Sequence, residues 1–409
     1  MRILMLSQFY PPVTGGEEHH VRNLSIALAE RGHEVHVGTF QLGAEHPEPD
    51  HPAVRVHPLR NTGRHLGALY ASADRPLALP VPDPLVTADL RRLTGEIQPD
   101  VVHAHNWIVN SYLPIRRRVP APLVVSLHDY GNVCATKRFM RGDQPCAGPA
   151  PRRCLPCVTG HYGPVRGPAI WGAVRTGLPI RNRLIDRFTP VSQAVATASG
   201  LATAEVDWEV VPNFVPDRLL QHPVQPRDRD LPRVPYLFFA GDLSAQKGLL
   251  TLLRAYERLP ADRPPLVVVG RPTPDVPARL PDGVQLHRGW SHERIISGFQ
   301  HSLAAVLPSE WPDPCPTTVL EAMALGASLV TTHQGGIADM VVAEESALVV
   351  QPGDVAALAA ALTRITGDTA LRTRLRQHAR ERVLGFLQST VADRFTTIYA
   401  ALARKAHHV

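Results

Sequence analysis

The chain has 409 residues, too many for one ordinary hydrophobic core, so two domains of similar size are expected. Hydrophobic residues make up 44% and charged residues 20%, a mixture that excludes a disordered or fibrous chain. The formal charge of +6 favours anionic partners such as phosphates or acidic lipids, and no basic stripe interleaved with aromatics accompanies it, so no nucleic acid is expected.

No apolar run reaches the roughly 18 residues of a membrane span, and the opening residues lead into a turn rather than a cleavage site. These features describe a soluble protein of the cytoplasm. Five cysteines without an export signal are expected to be reduced thiols.

In chain order, a strand at 2–7 leads to Pro11-Pro12 and Gly15-Gly16. A helical pattern follows with Val21, Leu24, Ala27 and Leu28 on one face, stopped by Gly32 before a strand at 34–39. That is a βαβ unit. Strands at 54–58, 100–104, 123–127 and 188–191 alternate with helical stretches, which predicts a mainly parallel sheet covered on both faces. The missing side chains of Gly15 and Gly16 let backbone amides approach a phosphate or sugar. His128 ends a parallel strand, where ligands of open α/β sheets collect.

Cys134, Cys146, Cys154 and Cys157 fall in a stretch rich in Gly, Pro and Arg that is ill suited to order itself by burial. A structural zinc site is the first reading, with His161 as a spare ligand; unligated thiols and a redox pair are the others. Lys137, Arg138, Arg141, Arg152 and Arg153 read as a solvated basic surface. Residues 165–187 mix Ile170, Trp171, Val174 and Leu178 with five arginines, as in a helix packed between domains or one resting peripherally on an anionic membrane face.

Six prolines between 212 and 235 predict a linker. A second alternation follows, with strands at 236–240, 266–269, 284–287, 304–307, 328–331 and 347–350. From 355 to 402 the pattern is nearly all helical, the last helix crossing back onto the first domain. Residues 241–248 place Lys247 in the first turn of a helix. In 308–326 a strand ends at Pro308, a loop presents Asp313, and a helix starting near Pro316 frees the amides of Thr317 and Thr318 for an anion. Glu321, one turn on, is placed to hold the hydroxyls of a ribose.

These stretches resemble the signatures of family-four, group 1 glycosyltransferases: two acidic residues separated by seven residues before a small-residue helix, a turn bearing Lys247, Gly15-Gly16 with Glu18, Gly32 to Val35, and strand ends bearing His105 and His128. Two positions depart from the pattern: Asp313 replaces a glutamate, and Asp242 replaces an arginine. The resemblance implies a GT-B fold, two Rossmann-like doubly wound α/β domains facing a central cleft. The N-terminal acceptor domain would span 1–205, with a Cys-rich loop at 134–161 and a C-terminal helix at 388–405 packing back. The donor domain would span 212–385.

It also implies a retaining, hexosyltransferase-like enzyme using a UDP- or GDP-sugar in natural product or polysaccharide biosynthesis, with no cofactor required for catalysis. His128, Asp313 and Lys247 would be catalytic. Gly15, Gly16, Lys247, Thr317, Thr318, Glu321, Gly335 and Gly336 would bind the donor, and His105 and Glu18 would lie on the acceptor side. Residues 60–90 and 134–185, where the match is weakest, would hold acceptor and regulatory features. A nucleotide-sugar epimerase and a non-catalytic sugar-nucleotide binder are the rival readings, the second encouraged by Asp242.

Overall fold

The computed structural model describes residues 1–11, 13, 15–41, 51–65 and 78–407. Pro12 and part of the weakly matching stretch 60–90, at 66–77, lie outside them. The chain divides into two compact units: Met1–Arg141 with Cys146–Pro212 and Gln388–Val409, and Gly142–Pro145 with Asn213–Leu387.

The sheet of the first unit comprises β1 (Arg2–Ser7), β2 (Glu34–Phe40), β3 (Val54–Leu59), β4 (Val101–His105), β5 (Leu123–Leu127) and β6 (Arg187–Pro190). Its order is β3-β2-β1-β4-β5-β6, and every pair is parallel. Parallel strands need crossovers that cover both faces, which is why Ile3, Leu4, Met5 and Leu6 form an unbroken buried run. The order reverses between β1 and β4, so the carboxyl ends of these strands open the crevice where doubly wound sheets bind ligands.

Helix Gly16–Glu30 follows β1 and buries Val21, Leu24, Ala27 and Leu28. Helix Gln388–His407 completes this unit through buried Val391, Phe395, Ile398 and Tyr399. The Tyr399 hydroxyl hydrogen-bonds His103 Nδ1 in β4 at 2.6 Å, and Arg31 reaches Asp393 at 2.7 Å.

The second unit repeats the scheme with β7 (Leu237–Ala240), β8 (Leu266–Val269), β9 (Val284–His287), β10 (Ala304–Leu307), β11 (Leu329–Thr332) and β12 (Leu348–Val350). Its order, β9-β8-β7-β10-β11-β12, is parallel throughout and reverses between β7 and β10. The proline-rich stretch read as a linker is packed onto this unit. Arg294 on helix His292–His301 clamps Asp228 at 2.7 Å and also binds Asp230, and the Asp228 amide donates to Ser297 Oγ at 3.2 Å. Charge and hydrogen bonding hold a segment whose lack of periodicity gave no sign of it. No helix among the described residues is long and apolar enough to cross a membrane.

Candidate functional site

In the second unit, strand β7 runs into a tight turn. Ser244 Oγ accepts the Lys247 amide at 3.3 Å and closes a short 3₁₀ turn, Ala245–Lys247, so Lys247 precedes helix Leu249–Glu257 rather than opening it. Gly248 takes φ +78, and a Cβ there would lie 1.9 Å from the Pro308 carbonyl, so only glycine lets this turn press against the end of β10. That contact fixes Lys247 beside the loop after Pro308. Its ammonium pairs directly with the Asp313 carboxylate and lies 5.3 Å from the Trp311 ring centroid.

Asp313 is 5% exposed, and its loop is held from behind by the Gly335-Gly336 turn. The Gly336 amide donates to the Asp313 carbonyl at 2.7 Å, and a Cβ on Gly335, at φ +59, would lie 2.3 Å from that oxygen. The expectation that both glycine amides face a donor is therefore corrected, because Gly336 spends its amide on the Asp313 loop.

Lys247, Asp313, Thr318, Pro316, Ser309 and Asp242 line one cavity of about 220 Å³. Helix Thr317–Ala324 begins at its edge, with the first-turn amides of Thr317 and Thr318 unclaimed by helix geometry. Glu321 is not among the lining residues; one turn further on, its carboxylate pairs with His292 Nε2 at 3.0 Å. That hydrogen bond raises the His292 pKa. Asp242, the departure from the family pattern, pairs with Arg271 at 2.9 Å, so a cation stands beside the position after all. His292 and Arg271 escaped the sequence reading because no local pattern links them to Glu321 and Asp242.

In the first unit, the ends of β4 and β5 and helix Gly16–Glu30 gather His105, His128 and His20. His105 Nδ1 and His128 Nε2 are 2.8 Å apart, and one ring nitrogen of each of the three lies within 4.8 Å of the others, close enough for a metal ion to bridge. Burial and the neighbouring imidazoles push His20 and His105 well below the usual histidine range, and burial brings His103 down to about 3. All three are neutral at neutral pH.

The hub of this cluster is a residue that sequence reasoning passed over. Asn106, directly after β4, takes φ +54, a left-handed conformation that asparagine tolerates better than most residues. Its Oδ1 accepts the His128 amide at 2.9 Å, and its Nδ2 donates to Glu17 at 2.7 Å and Asp129 at 3.4 Å. Glu17 Oε1 is shielded from solvent without a hydrogen-bond partner, and burial pushes its pKa up to about 8. Glu18, expected on the acceptor side, folds back over its own helix start: a Cβ on Gly15 would lie 2.1 Å from its carboxylate. Gly15 thus makes room for Glu18, while Gly16 faces open space.

Cys134, Cys146, Cys154 and Cys157 are all unpaired and line one cavity of about 30 Å³. The stretch read as a loop contains helix Pro151–Tyr162, and His161 is not among the residues lining that cavity; it stacks edge-on against Tyr162. In helix Arg166–Leu184, Arg181 is 2% exposed and donates to Asn132 and Val174 carbonyls at 2.8 and 3.1 Å, so this arginine is core rather than a lipid contact.

The comparisons agree with this architecture. The model "Glycosyl transferase 4-like domain" matches residues 15–162, and "Glycosyl transferases group 1" matches 225–382. Glycogen synthase of Mycobacterium tuberculosis is 27% identical over 99% of this chain and 95% of its own. MMP alpha-(1->4)-mannosyltransferase of Mycolicibacterium hassiacum is 26% identical over 99% and 100%. Among solved structures, sucrose-phosphate synthase of Thermosynechococcus elongatus superposes with a TM-score of 0.74 at 20% identity, covering 98% of both chains. Anabaena HepE, in complex with UDP, gives 0.68 at 18% identity over 98% and 100%. The fold is GT-B and the protein is a glycosyltransferase enzyme. It belongs to the group 1 glycosyl transferases.

Proposed function

We propose that this enzyme moves a hexosyl group from a UDP- or GDP-sugar to an acceptor hydroxyl with retention of anomeric configuration. The observation that carries this reading is the second-unit cavity, where an ammonium, a nearly buried carboxylate and free helix N-terminal amides meet. A donor diphosphate entering it competes with Asp313 for Lys247 and lies on the amides of Thr317 and Thr318. Asp313, released, turns to the sugar. Glu321, oriented by His292, takes the ribose hydroxyls.

As the bond from the sugar to the phosphate oxygen breaks, its electron pair stays on the diphosphate, whose charge Lys247 stabilises. The acceptor oxygen attacks the same face and its proton passes to the leaving phosphate oxygen, so no protein nucleophile is needed. In the first unit, His128, steadied by His105 and Asn106, and the neighbouring Glu17 serve as hydrogen-bonding groups for sugar hydroxyls. Relatives named for mannosyl and N-acetylglucosaminyl transfer support a hexosyl donor. Arg271 beside Asp242 offsets the carboxylate that encouraged a non-catalytic reading.

Calorimetry with UDP, GDP and ADP, followed by transfer assays with the corresponding sugars, tests the proposal. One nucleotide should bind, and Lys247→Ala should weaken it by about tenfold or more, roughly 1.4 kcal/mol. Equal affinity in wild type and variant would remove the site. An altered free sugar formed without acceptor would favour epimerisation.

A further inference from the structure

Outside the transfer chemistry, one constellation stands unused. Four of the five cysteines line one small cavity although their segment crosses two turns and a helix, and no three of their sulfurs stand within 4.8 Å of one another before a metal draws them in. Cys134 sits in a turn anchored to the end of β5: its amide donates to the Tyr130 carbonyl at 2.9 Å, and its carbonyl accepts the Lys137 amide at 3.0 Å. Cys146 is held by Phe139, whose carbonyl accepts its amide at 2.8 Å. Cys154 and Cys157 lie on helix Pro151–Tyr162, one turn apart on the same side.

All four line the same small cavity of about 30 Å³. Its other walls are mainly apolar, Val133, Phe139, Met140, Val158 and Trp171, so a water there would find few partners. Arg141 and Arg153 also line it, and Arg153 Nε is buried without a hydrogen-bond partner. A void ringed by sulfur, walled by hydrocarbon and flanked by guanidinium suits a cation whose thiolate cage carries net negative charge.

We propose that Cys134, Cys146, Cys154 and Cys157 form a structural tetrahedral zinc centre. Each thiol gives up its proton to solvent as the zinc–sulfur bonds form at about 2.3 Å, leaving a complex of net charge two minus that Arg141 and Arg153 offset. In the structure each sulfur keeps a local partner: Thr136 Oγ1 for Cys134, the Gly148 carbonyl for Cys146, the Ala150 amide for Cys154 and the Met140 carbonyl for Cys157. Binding exchanges these weak contacts for the metal.

The consequence is mechanical. The same segment carries Lys137, which pairs with Asp129 at 3.7 Å and lies 4.3 Å from the Trp107 ring centroid, so a pinned segment steadies the strand end that bears His128. The inference is independent of the glycosyl-transfer reading and does not touch the donor cavity.

The test uses the full chain. Elemental analysis should find about one zinc per chain, and cobalt exchange should give the thiolate charge-transfer absorption of a tetrahedral sulfur site. This wild-type measurement stands even where a variant fails to fold. Cys154→Ser and Cys157→Ser should each abolish the cobalt band and lower metal affinity more than about 100-fold, beyond the cost of losing an outer-shell partner. Cys315→Ser should keep the band. Three results would each overturn the proposal: metal-free protein with four alkylatable thiols and no cobalt uptake, a Cys154–Cys157 disulfide by mass spectrometry, or metal uptake that survives both cysteine substitutions and is lost in His20→Ala.

Discussion

The two units share one sheet topology yet treat charge in opposite ways. At the strand ends of the first unit the most deeply buried ionisable groups are kept neutral, with the Lys137–Asp129 pair beside them: burial lowers the imidazoles of His20, His103 and His105 and raises the carboxyl of Glu17 to about 8. At the strand ends of the second unit they are paired: Lys247 with Asp313, His292 with Glu321, Arg271 with Asp242. Neutral groups in a dry crevice bind hydroxyls by hydrogen bonding and do not repel or trap charge. Ion pairs can be opened by a charged ligand that offers each partner something better. On the function proposed above, the contrast separates a surface suited to sugars from one suited to a diphosphate.

Breaking the paired side should have the largest effect. Lys247→Ala removes the cation proposed to stabilise the leaving diphosphate, and turnover should fall by about 10²- to 10³-fold in a steady-state assay. Raising the salt concentration should weaken nucleotide binding in the wild type and much less in the variant.

On the neutral side the next largest effect is on stability. His103 has no exposure and joins Tyr399 at 2.6 Å to Ser126 at 2.8 Å, so His103→Leu strands the buried Tyr399 hydroxyl and leaves Ser126 only Thr189. Urea unfolding should show a loss of about 2–3 kcal/mol, with no matching dependence on salt.

Glu17→Gln sharpens the comparison through pH. The folded state raises this carboxyl from 4.5 to about 8, so the protonated form is the one the fold prefers. Wild-type stability should therefore decline as pH climbs through that window, while the glutamine variant escapes the decline. The difference in thermal midpoint should widen by about 2–4 °C towards the alkaline end, the shift that about 1 kcal/mol produces in a unit of this size.

The smallest effect belongs to His292. Glu321 holds its pKa above 6.5, so the pair's contribution is complete below that value and fades as pH rises through the raised one. Because His292 is half exposed, His292→Ala should cost less than about 1 kcal/mol in calorimetric unfolding.

Much of this could be read from residue order. Parallel strands are buried on both faces, so runs such as Leu266–Val269 and Ala304–Leu307 stand out as continuous apolar segments and carry the fold class with them. Lys247 and Asp313 were legible because turn and helix signals lie in adjacent sequence. Asn106, His292 and Arg271 were not, since each acquires meaning from a partner at least twenty residues away, and propensity is silent about such pairs. Glu17 and Glu18 show the finer limit. Neighbouring glutamates look alike in sequence, and only the direction of a helix start decides which one meets Asn106 and which one folds back over Gly15.

The helix Gln388–His407 belongs to the first unit although the whole of the second is encoded before it. During synthesis the sheet must wait, with the Tyr399 partner of His103 still untranslated, until the last turns leave the ribosome. Chains released early should therefore fold a sound second half beside an unfinished first, leaving truncated products recognisable to quality-control proteases.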